Sequence, residues 1–207
     1  MTKPKVKICG ITNLMDALFC AGVGANALGF IFYEKSRRFI EPSRAASIIR
    51  QLPPTITPVG VFVNSKRAAI ERVLSTTGIR VIQLSGDELP AECEGFPTDV
   101  WKTFRIRNRD QIETIRRYRI SVAILDGAND DEYGGSGTLP EFSIAREMKK
   151  LHPLVLAGGL NPENVVKAIR KVRPYAIDVN SGVELLPGKK DHEKVKSLFD
   201  QLRHAQS

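Results

Sequence analysis

Two side chains that could move protons stand at the ends of apolar runs in this sequence. Cys9 follows the run at residues 6–8, and Asp126 follows the run at residues 122–125. A cysteine acts as a general base when its thiol pKa is lowered, and a carboxyl acts as a general acid when burial or a neighbouring anion raises its pKa. The two residues are therefore candidates for a general base and a general acid. The alternative for Cys9 is a small buried apolar side chain, the usual state of a free cysteine.

The last two apolar runs are followed by residues that suit an anion. Gly158 and Gly159 follow the seventh run, and Ser181 and Gly182 follow the eighth. Backbone N–H groups in glycine turns and at helix N-termini bind phosphate, so we expect residues 181–184 to form a short extra helix facing the same point. The alternative is that these glycines serve only tight turns.

Three more polar residues lie near the ends of predicted strands or in the loops after them. Gln83 and Asp178 belong to the fourth and eighth apolar runs, where a polar group needs a partner or a ligand. Arg38 lies in the loop at residues 33–41 and could clamp a carboxylate in bidentate fashion, or be an ordinary solvated side chain. The loop at residues 126–139 is rich in glycine and suits either a lid over a phosphate or a plain flexible connection.

These residues are placed by an alternation of short apolar runs with amphipathic stretches. We predict strands at residues 6–9, 27–32, 58–63, 81–84, 100–104, 122–125, 154–157 and 176–179. We predict helices at residues 13–21, 42–51, 66–76, 109–117, 141–151, 162–172 and 192–202. Residues 86–97 are too short and too rich in proline and glycine for a full helix. The pattern predicts one domain over residues 1–207, a (β/α)8 TIM barrel with a shortened or irregular fourth helix.

An open, doubly wound α/β sheet is the alternative architecture. Its first turn usually carries a G-x-G-x-x-G motif, which residues 9–12, Cys-Gly-Ile-Thr, do not provide. In a barrel, the first and sixth strands lie three positions apart, so Cys9 and Asp126 face each other across one rim. In the first helix Asn13 is the expected cap, and an apolar face is expected from Met15, Leu18, Phe19 and Val23.

Composition limits the class of protein further. Of the 207 residues 42% are hydrophobic and 26% charged, as in ordinary globular domains, and no run approaches the ~18 apolar residues of a membrane helix. The three cysteines form no Cys-x-x-Cys element, which fits a reducing cytoplasm. The net charge of +8 is scattered in short clusters and aromatic residues make up 7%, so an anionic small molecule is favoured over nucleic acid.

A series of motifs then occurs in order over nearly the whole chain. The motifs are KICGIT at 7–12, GFIF at 29–32 with SRR at 36–38, VGVFVN at 59–64, LD at 125–126, YGGSG at 133–137, LAGGLNPEN at 156–164, DVNSGVE at 178–184 and PGKKD at 187–191. In these motifs the chain resembles the phosphoribosylanthranilate isomerase family, whose members act in tryptophan biosynthesis on a phosphorylated aminosugar.

The resemblance implies an Amadori rearrangement in a barrel that uses neither a metal nor another cofactor. Asp126 would protonate the ribose ring oxygen, and Cys9, as a thiolate, would remove the proton from C2. Arg38 would hold the anthranilate carboxylate, while Gln83 and Asp178 would bind other parts of the substrate. The phosphate would be held by Gly137, Gly158, Gly159, Ser181 and Gly182. A monomer or a homodimer is expected, without a nucleic-acid or membrane partner.

Two positions depart from the family pattern. Ser85 stands where many relatives have a histidine, which puts one contact to the anthranilate side in doubt, and Asn180 replaces a serine before Ser181. Another phosphosugar barrel, such as a ribulose-phosphate epimerase or an indoleglycerol-phosphate synthase, would need rim histidines for a metal or a catalytic lysine. A basic barrel that binds nucleic acid or protein without catalysis is the remaining alternative.

Overall fold

Eight parallel strands close into a barrel in chain order, each paired with its neighbours in sequence and the last with the first. The computed structural model describes residues 4–106, 108–127 and 139–204. The strands are β1 Lys5–Ile8, β2 Ala27–Ile31, β3 Thr57–Phe62, β4 Val81–Leu84, β5 Asp99–Phe104, β6 Val122–Leu125, β7 Leu154–Leu156 and β8 Ala176–Val179. The predicted (β/α)8 barrel is confirmed, and the predicted strands differ from these by one residue at most at either end.

Helices follow the strands on the outside of the barrel. They are α1 Leu14–Val23, α2 Pro42–Ile49, α3 Arg67–Thr77, α4 Ile112–Ile115, α5 Phe142–Met148, α6 Val165–Val172 and α7 His192–His204. The β4–β5 connection holds one 3-10 turn, Pro90–Cys93, as predicted for an irregular fourth helix. A hairpin of β9 Glu184–Leu186 and β10 Lys189–Lys190 precedes α7 and was not predicted. Among the described helices, none is both long enough and apolar enough to cross a membrane.

The alternation of side chains along β1 explains how the barrel positions its chemistry. Val6 and Ile8 point outward into the core that the strands share with the helices. Lys7 and Cys9 therefore point inward, where Cys9 packs with Ile31. The inward positions at the carboxyl ends of the strands are the ones that reach the open end of the barrel.

One prediction for α1 is wrong. Asn13 caps this helix through the Asp16 N–H at 2.9 Å, as predicted, but Met15 and Leu18 are 74% and 43% exposed. The helix is rotated so that Asp16 is buried, because its carboxylate accepts the Lys190 N–H at 2.8 Å and contacts His192 Nε2 at 2.9 Å. An apolar period alone could not indicate a buried carboxylate on the inner face.

Candidate active site

A cavity of about 290 Å³ opens at the carboxyl ends of the strands. Its lining brings together most of the residues predicted for the site, namely Cys9, Arg38, Gln83, Asp126, Gly158, Gly159, Asp178 and Ser181. Gly182 lies beside this lining rather than in it, and Gly137 lies outside the described residues. Lining residues that sequence reasoning did not assign to the site include Tyr33, Thr103, Arg105 and Asn180.

Cys9 is held at the end of β1 and borders this cavity while remaining 95% buried. Its N–H donates to the Val179 carbonyl at 2.9 Å, and a Cβ on Gly29 would come within 2.6 Å of its Sγ. Gly29 is thus the residue that leaves room for the sulfur. Burial raises the pKa of the Cys9 thiol, and Asp178 adds to the rise, whereas the nearby ammonium of Lys7 opposes it.

Lys7 and Asp178 form a buried ion pair beneath the cavity. The Lys7 Nζ and Asp178 Oδ2 are 2.5 Å apart, and both side chains are more than nine-tenths buried. Although burial opposes the charge, attraction to Asp178 and then to Cys9 raises the pKa of Lys7, so this ammonium stays charged. The other oxygen, Asp178 Oδ1, is buried without a hydrogen-bond partner among the described residues and is available to a ligand hydroxyl.

Asp126 follows β6 and donates its N–H to the Phe104 carbonyl at 3.1 Å. Burial, followed by the negative charge of Asp178, raises the pKa of the Asp126 carboxyl to about 6, although Arg105, the Gly127 N–H and Lys7 oppose the rise. Burial and a neighbouring anion are the two causes that the sequence argument required for an acid. The expected environment of Asp126 is therefore present.

A polar network from β4 and β5 forms another wall of the cavity. Gln83 Nε2 donates to Ser85 Oγ at 3.1 Å and to Thr103 Oγ1 at 3.3 Å, and these two hydroxyls are 2.9 Å apart. Gln83 Oε1 has no partner among the described residues. Ser85 and Thr103 thus hold the amide nitrogen of Gln83 and leave its carbonyl oxygen for a ligand.

The glycines after β7 have the backbone that the anion-binding prediction requires. Gly158 and Gly159 have φ values of +84° and +58°, in the left-handed region that favours glycine. Ser181–Val183 forms a 3-10 turn, so the predicted short helix is present. A Cβ on Gly182 would lie 2.0 Å from the Leu160 carbonyl oxygen, so Gly182 allows the turns after β7 and β8 to pack together.

Arg38 reaches the cavity from the loop after β2. Its Nε and Nη2 donate to the Glu184 carboxylate, at 3.0 Å for Nε to Oε1 and 2.7 Å for Nη2 to Oε2. Sequence reasoning missed Glu184, since a contact across 146 positions leaves no local signal. Lys7 was also unassigned, although its spacing of two from Cys9 in a strand could have placed it on the inner face.

Comparison with known proteins supports the reading of the fold. N-(5'-phosphoribosyl)anthranilate isomerase of Citrifermentans bemidjiense is 46% identical over 199 residues, 96% of this chain and 97% of the relative. The crystal structure of phosphoribosyl anthranilate isomerase from Thermotoga maritima matches with a TM-score of 0.90 and 42% identity, over 97% of this chain and 99% of that one. Another such isomerase structure, in complex with reduced 1-(o-carboxyphenylamino)-1-deoxyribulose 5-phosphate, matches with a TM-score of 0.87 and 41% identity, over 97% and 99%.

The barrel and the cavity at its carboxyl rim define a (β/α)8-barrel enzyme. The family model described as N-(5'phosphoribosyl)anthranilate (PRA) isomerase matches residues 6–201. This chain belongs to the PRA isomerase family.

Proposed function

We propose that this chain converts N-(5-phosphoribosyl)anthranilate to 1-(2-carboxyphenylamino)-1-deoxyribulose 5-phosphate, with Asp126 as the general acid and Cys9 as the general base. The observation that carries the proposal is that both side chains line one cavity at the carboxyl rim of the barrel. A related isomerase binds a reduced form of this product. The reaction is an isomerisation, so it needs proton transfers and no net oxidant.

The reaction needs one group that donates a proton and one that removes a proton, and these two side chains fit those roles. Asp126 donates to the ribose ring oxygen, the C1–O bond breaks, and the ring opens to a protonated Schiff base. Cys9 as a thiolate then removes the proton from C2, which gives an enolamine that tautomerises to the ketose. With a pKa of about 6, on the order of a tenth of the Asp126 carboxyls carry the required proton at pH 7.

The buried ion pair assists both groups. The Lys7 ammonium favours the Cys9 thiolate, and the Asp178 carboxylate favours the protonated form of Asp126. The competent state, a thiolate facing a carboxylic acid, has the same total charge as a thiol facing a carboxylate. Substrate can therefore bind without a net change in protonation.

The substrate's two anionic groups are assigned to different donors at the rim. Gly158, Gly159 and Ser181 are proposed to hold the phosphate through backbone N–H and hydroxyl donors, with Gly182 bringing the two turns together. Arg38 is proposed to hold the anthranilate carboxylate. The partnerless oxygens of Gln83 and Asp178 are proposed to accept bonds from substrate hydroxyls.

Other phosphosugar chemistries fit these residues less well. Lys102 Nζ lies 3.1 Å from Glu88 Oε2 and 2.8 Å from the Gly86 carbonyl oxygen, so it is committed to the loop after β4. His192 contacts Asp16 and stacks on Phe19, behind α1. Neither residue belongs to the described lining of the cavity, where a catalytic lysine or a metal-binding histidine would be needed.

The proposal is tested by Cys9→Ala, assayed by the loss of anthranilate fluorescence. We expect kcat to fall by about 10²-fold or more with a modest change in KM, because the base acts mainly in the transition state. Cys20→Ala is the matched control, since this second buried thiol lies on the inner face of α1, outside the described lining of the cavity, and it should leave kcat near that of the parent. Near-normal turnover by Cys9→Ala would exclude the thiol as the base.

A further inference from the structure

A buried charged cluster lies beside the cavity, and the proposed proton transfers do not use it. Its centre is Glu184, the first residue of the β9–β10 hairpin, whose side chain is only 4% exposed. The carboxylate accepts bonds from the Arg38 guanidinium, from Lys190 Nζ at 3.1 Å and from the Gly188 N–H at 3.1 Å. Burial opposes this charge, but Arg38 and Lys190 outweigh it and lower the pKa of Glu184, so Glu184 remains ionised.

Arg38 is held at its main chain, along its side chain and at its guanidinium. Its Nε and Nη2 donate to the Glu184 carboxylate, and the main-chain N–H of Arg38 donates to Ser36 Oγ at 3.2 Å, which fixes the backbone that carries the side chain. A Cβ on Gly10 would come within 3.0 Å of Arg38 Cδ, so the turn after β1 leaves just enough room for the side chain. A guanidinium offers a second edge, Nη1/Nη2, and Arg38 borders the cavity.

Glu184 engages only one edge of the Arg38 guanidinium and leaves the other edge to a ligand. Lys190 also contacts the Glu184 carboxylate, but burial lowers the pKa of Lys190 although Glu184 opposes the lowering, so the cation that this cluster offers to a ligand is Arg38. A guanidinium that is already held in one geometry loses little conformational entropy when a carboxylate binds to its free edge. The cluster is therefore suited to a planar anion that arrives from the cavity.

We propose that Glu184 is a positioning residue, which holds Arg38 so that its free edge binds the carboxylate on the substrate's aryl ring. The hairpin thereby sets the preference for a carboxylated arylamine over an uncharged one. This inference rests on the proposed function, and in particular on the role of Arg38. Glu184 itself contacts the guanidinium and not the reacting atoms.

The alternative is that Glu184 only fastens the hairpin to the barrel. The hairpin has other anchors, since Thr12 Oγ1 donates to the Gly188 carbonyl at 2.5 Å and the Lys190 N–H donates to Asp16 Oδ2 at 2.8 Å. These contacts do not involve Glu184. Glu184→Gln, which keeps the size of the side chain, should therefore leave the hairpin in place.

The experiment compares two aminoaldoses made from ribose 5-phosphate, one with anthranilate and one with aniline, which lacks the carboxylate. For Glu184→Gln we expect KM for the anthranilate compound to rise about tenfold with kcat changed about twofold at most, because a charge-assisted bidentate contact is weakened. KM for the aniline compound should not change. Arg38→Met should raise only the first KM, by a larger factor, and Glu184→Gln should add nothing on top of Arg38→Met.

Two further variants complete the test. Glu184→Asp keeps the charge but withdraws the carboxylate by one methylene, so it should show the same selective rise in KM even if Glu184→Gln folds poorly. Glu147→Gln removes an exposed carboxylate that pairs with Lys150 and should change neither KM nor the melting temperature.

Three results would overturn the inference in different ways. A Glu184 variant that weakens both substrates equally, with a lowered melting temperature, would assign Glu184 a structural role only. An unchanged KM in Arg38→Met would remove Arg38 from carboxylate binding, and with it this part of the proposed function. A selective effect of Arg38→Met without one of Glu184→Gln would leave the proposed function standing and refute the inference alone.

Discussion

Asp178 and Lys7 act on both reactive side chains at once. The carboxylate of Asp178 raises the pKa of Cys9 and of Asp126, and the ammonium of Lys7 lowers both. Because the two charges are 2.5 Å apart, a reactive group responds mainly to whichever one is nearer. A single buried ion pair can thus support both an acid and a base.

The raised pKa of Asp126 predicts a stability that depends on pH. The folded value of about 6 exceeds the unfolded value of about 3.9, so above pH 6 the ionised carboxyl destabilises the folded state. We expect Asp126→Asn to raise the free energy of unfolding by about 3 kcal/mol at pH 7. The gain should shrink as the pH falls from 6 towards 4, because the folded carboxyl then becomes protonated.

Urea unfolding of both proteins at pH 7 and pH 4 measures this difference directly, while the assay shows that Asp126→Asn has lost turnover. Asp200→Asn is a suitable control, since that carboxylate is exposed and pairs with Arg203 on α7. An equal or lower stability of Asp126→Asn at pH 7 would contradict the raised pKa. The expected result is a variant that is more stable and inactive, in which catalytic function costs stability.

Three of the predicted residues that the structure brings to the cavity share one property. Cys9, Asp126 and Asp178 are polar residues at the ends of apolar strands, which a local pattern can show. Glu184 could not be found in this way, because its role depends on a contact with Arg38 from the other end of the chain. The pKa of the Cys9 thiol could not be predicted from the sequence either, since it depends on the balance between burial and the charge of Lys7.

At the scale of elements, the side chains at the end of β1 restrict the size of the residue that β2 can carry at position 29. Adding a Cβ at Gly29 would place an atom 2.6 Å from Cys9 Sγ and 3.1 Å from Lys7 Cε. Gly29→Ala should therefore lower the free energy of unfolding by about 1–3 kcal/mol, the usual range for overpacking, and lower kcat by displacing the sulfur.

A double mutant tests whether the sulfur is the cause. In a Cys9→Ala background, the penalty of Gly29→Ala should shrink, because the closest contact is gone, and equal penalties in both backgrounds would refute this reading. Gly22→Ala in α1 is the control. Among the described residues, no heavy atom apart from the neighbouring backbone of the helix lies within 4 Å of a Cβ there, and the change should be neutral or stabilising by about 0.5 kcal/mol.

The elements also show which features the hydrophobic pattern predicts and which it does not. The strands of the barrel were predicted closely because a parallel strand is buried on both faces and appears as an apolar run. Helix α6 begins at Val165 rather than 162, because Asn161 Oδ1 accepts from the N–H groups of Glu163 and Asn164 and holds a turn there. The β9–β10 hairpin has strands of three and two residues, too short for a period to be visible.

For the molecule as a whole, the net charge of +8 has a local counterpart in the cavity. The described lining holds two carboxylates, those of Asp126 and Asp178, and a larger set of cations, namely Lys35, Arg37, Arg38 and Arg105. A concave site lined mainly by one sign of charge concentrates ligands of the opposite sign. The composition indicated an anionic substrate, but only the closed barrel shows that these cations lie around one opening.

The positive electrostatic field of these cations predicts that catalysis depends on the salt concentration. The substrate carries a phosphate and a carboxylate, so kcat/KM should fall by about tenfold between 10 mM and 500 mM NaCl, as the Debye length shrinks from about 30 Å to about 4 Å. At saturating substrate, kcat should change little, because the proton transfers occur in a cavity that salt screens weakly. The aniline-derived aminoaldose, with one anionic group fewer, should show a shallower fall. An equal slope for both substrates would mean that the effect of salt is on the protein's stability or on the phosphate alone, and that the cations near Arg38 do not attract the carboxylate.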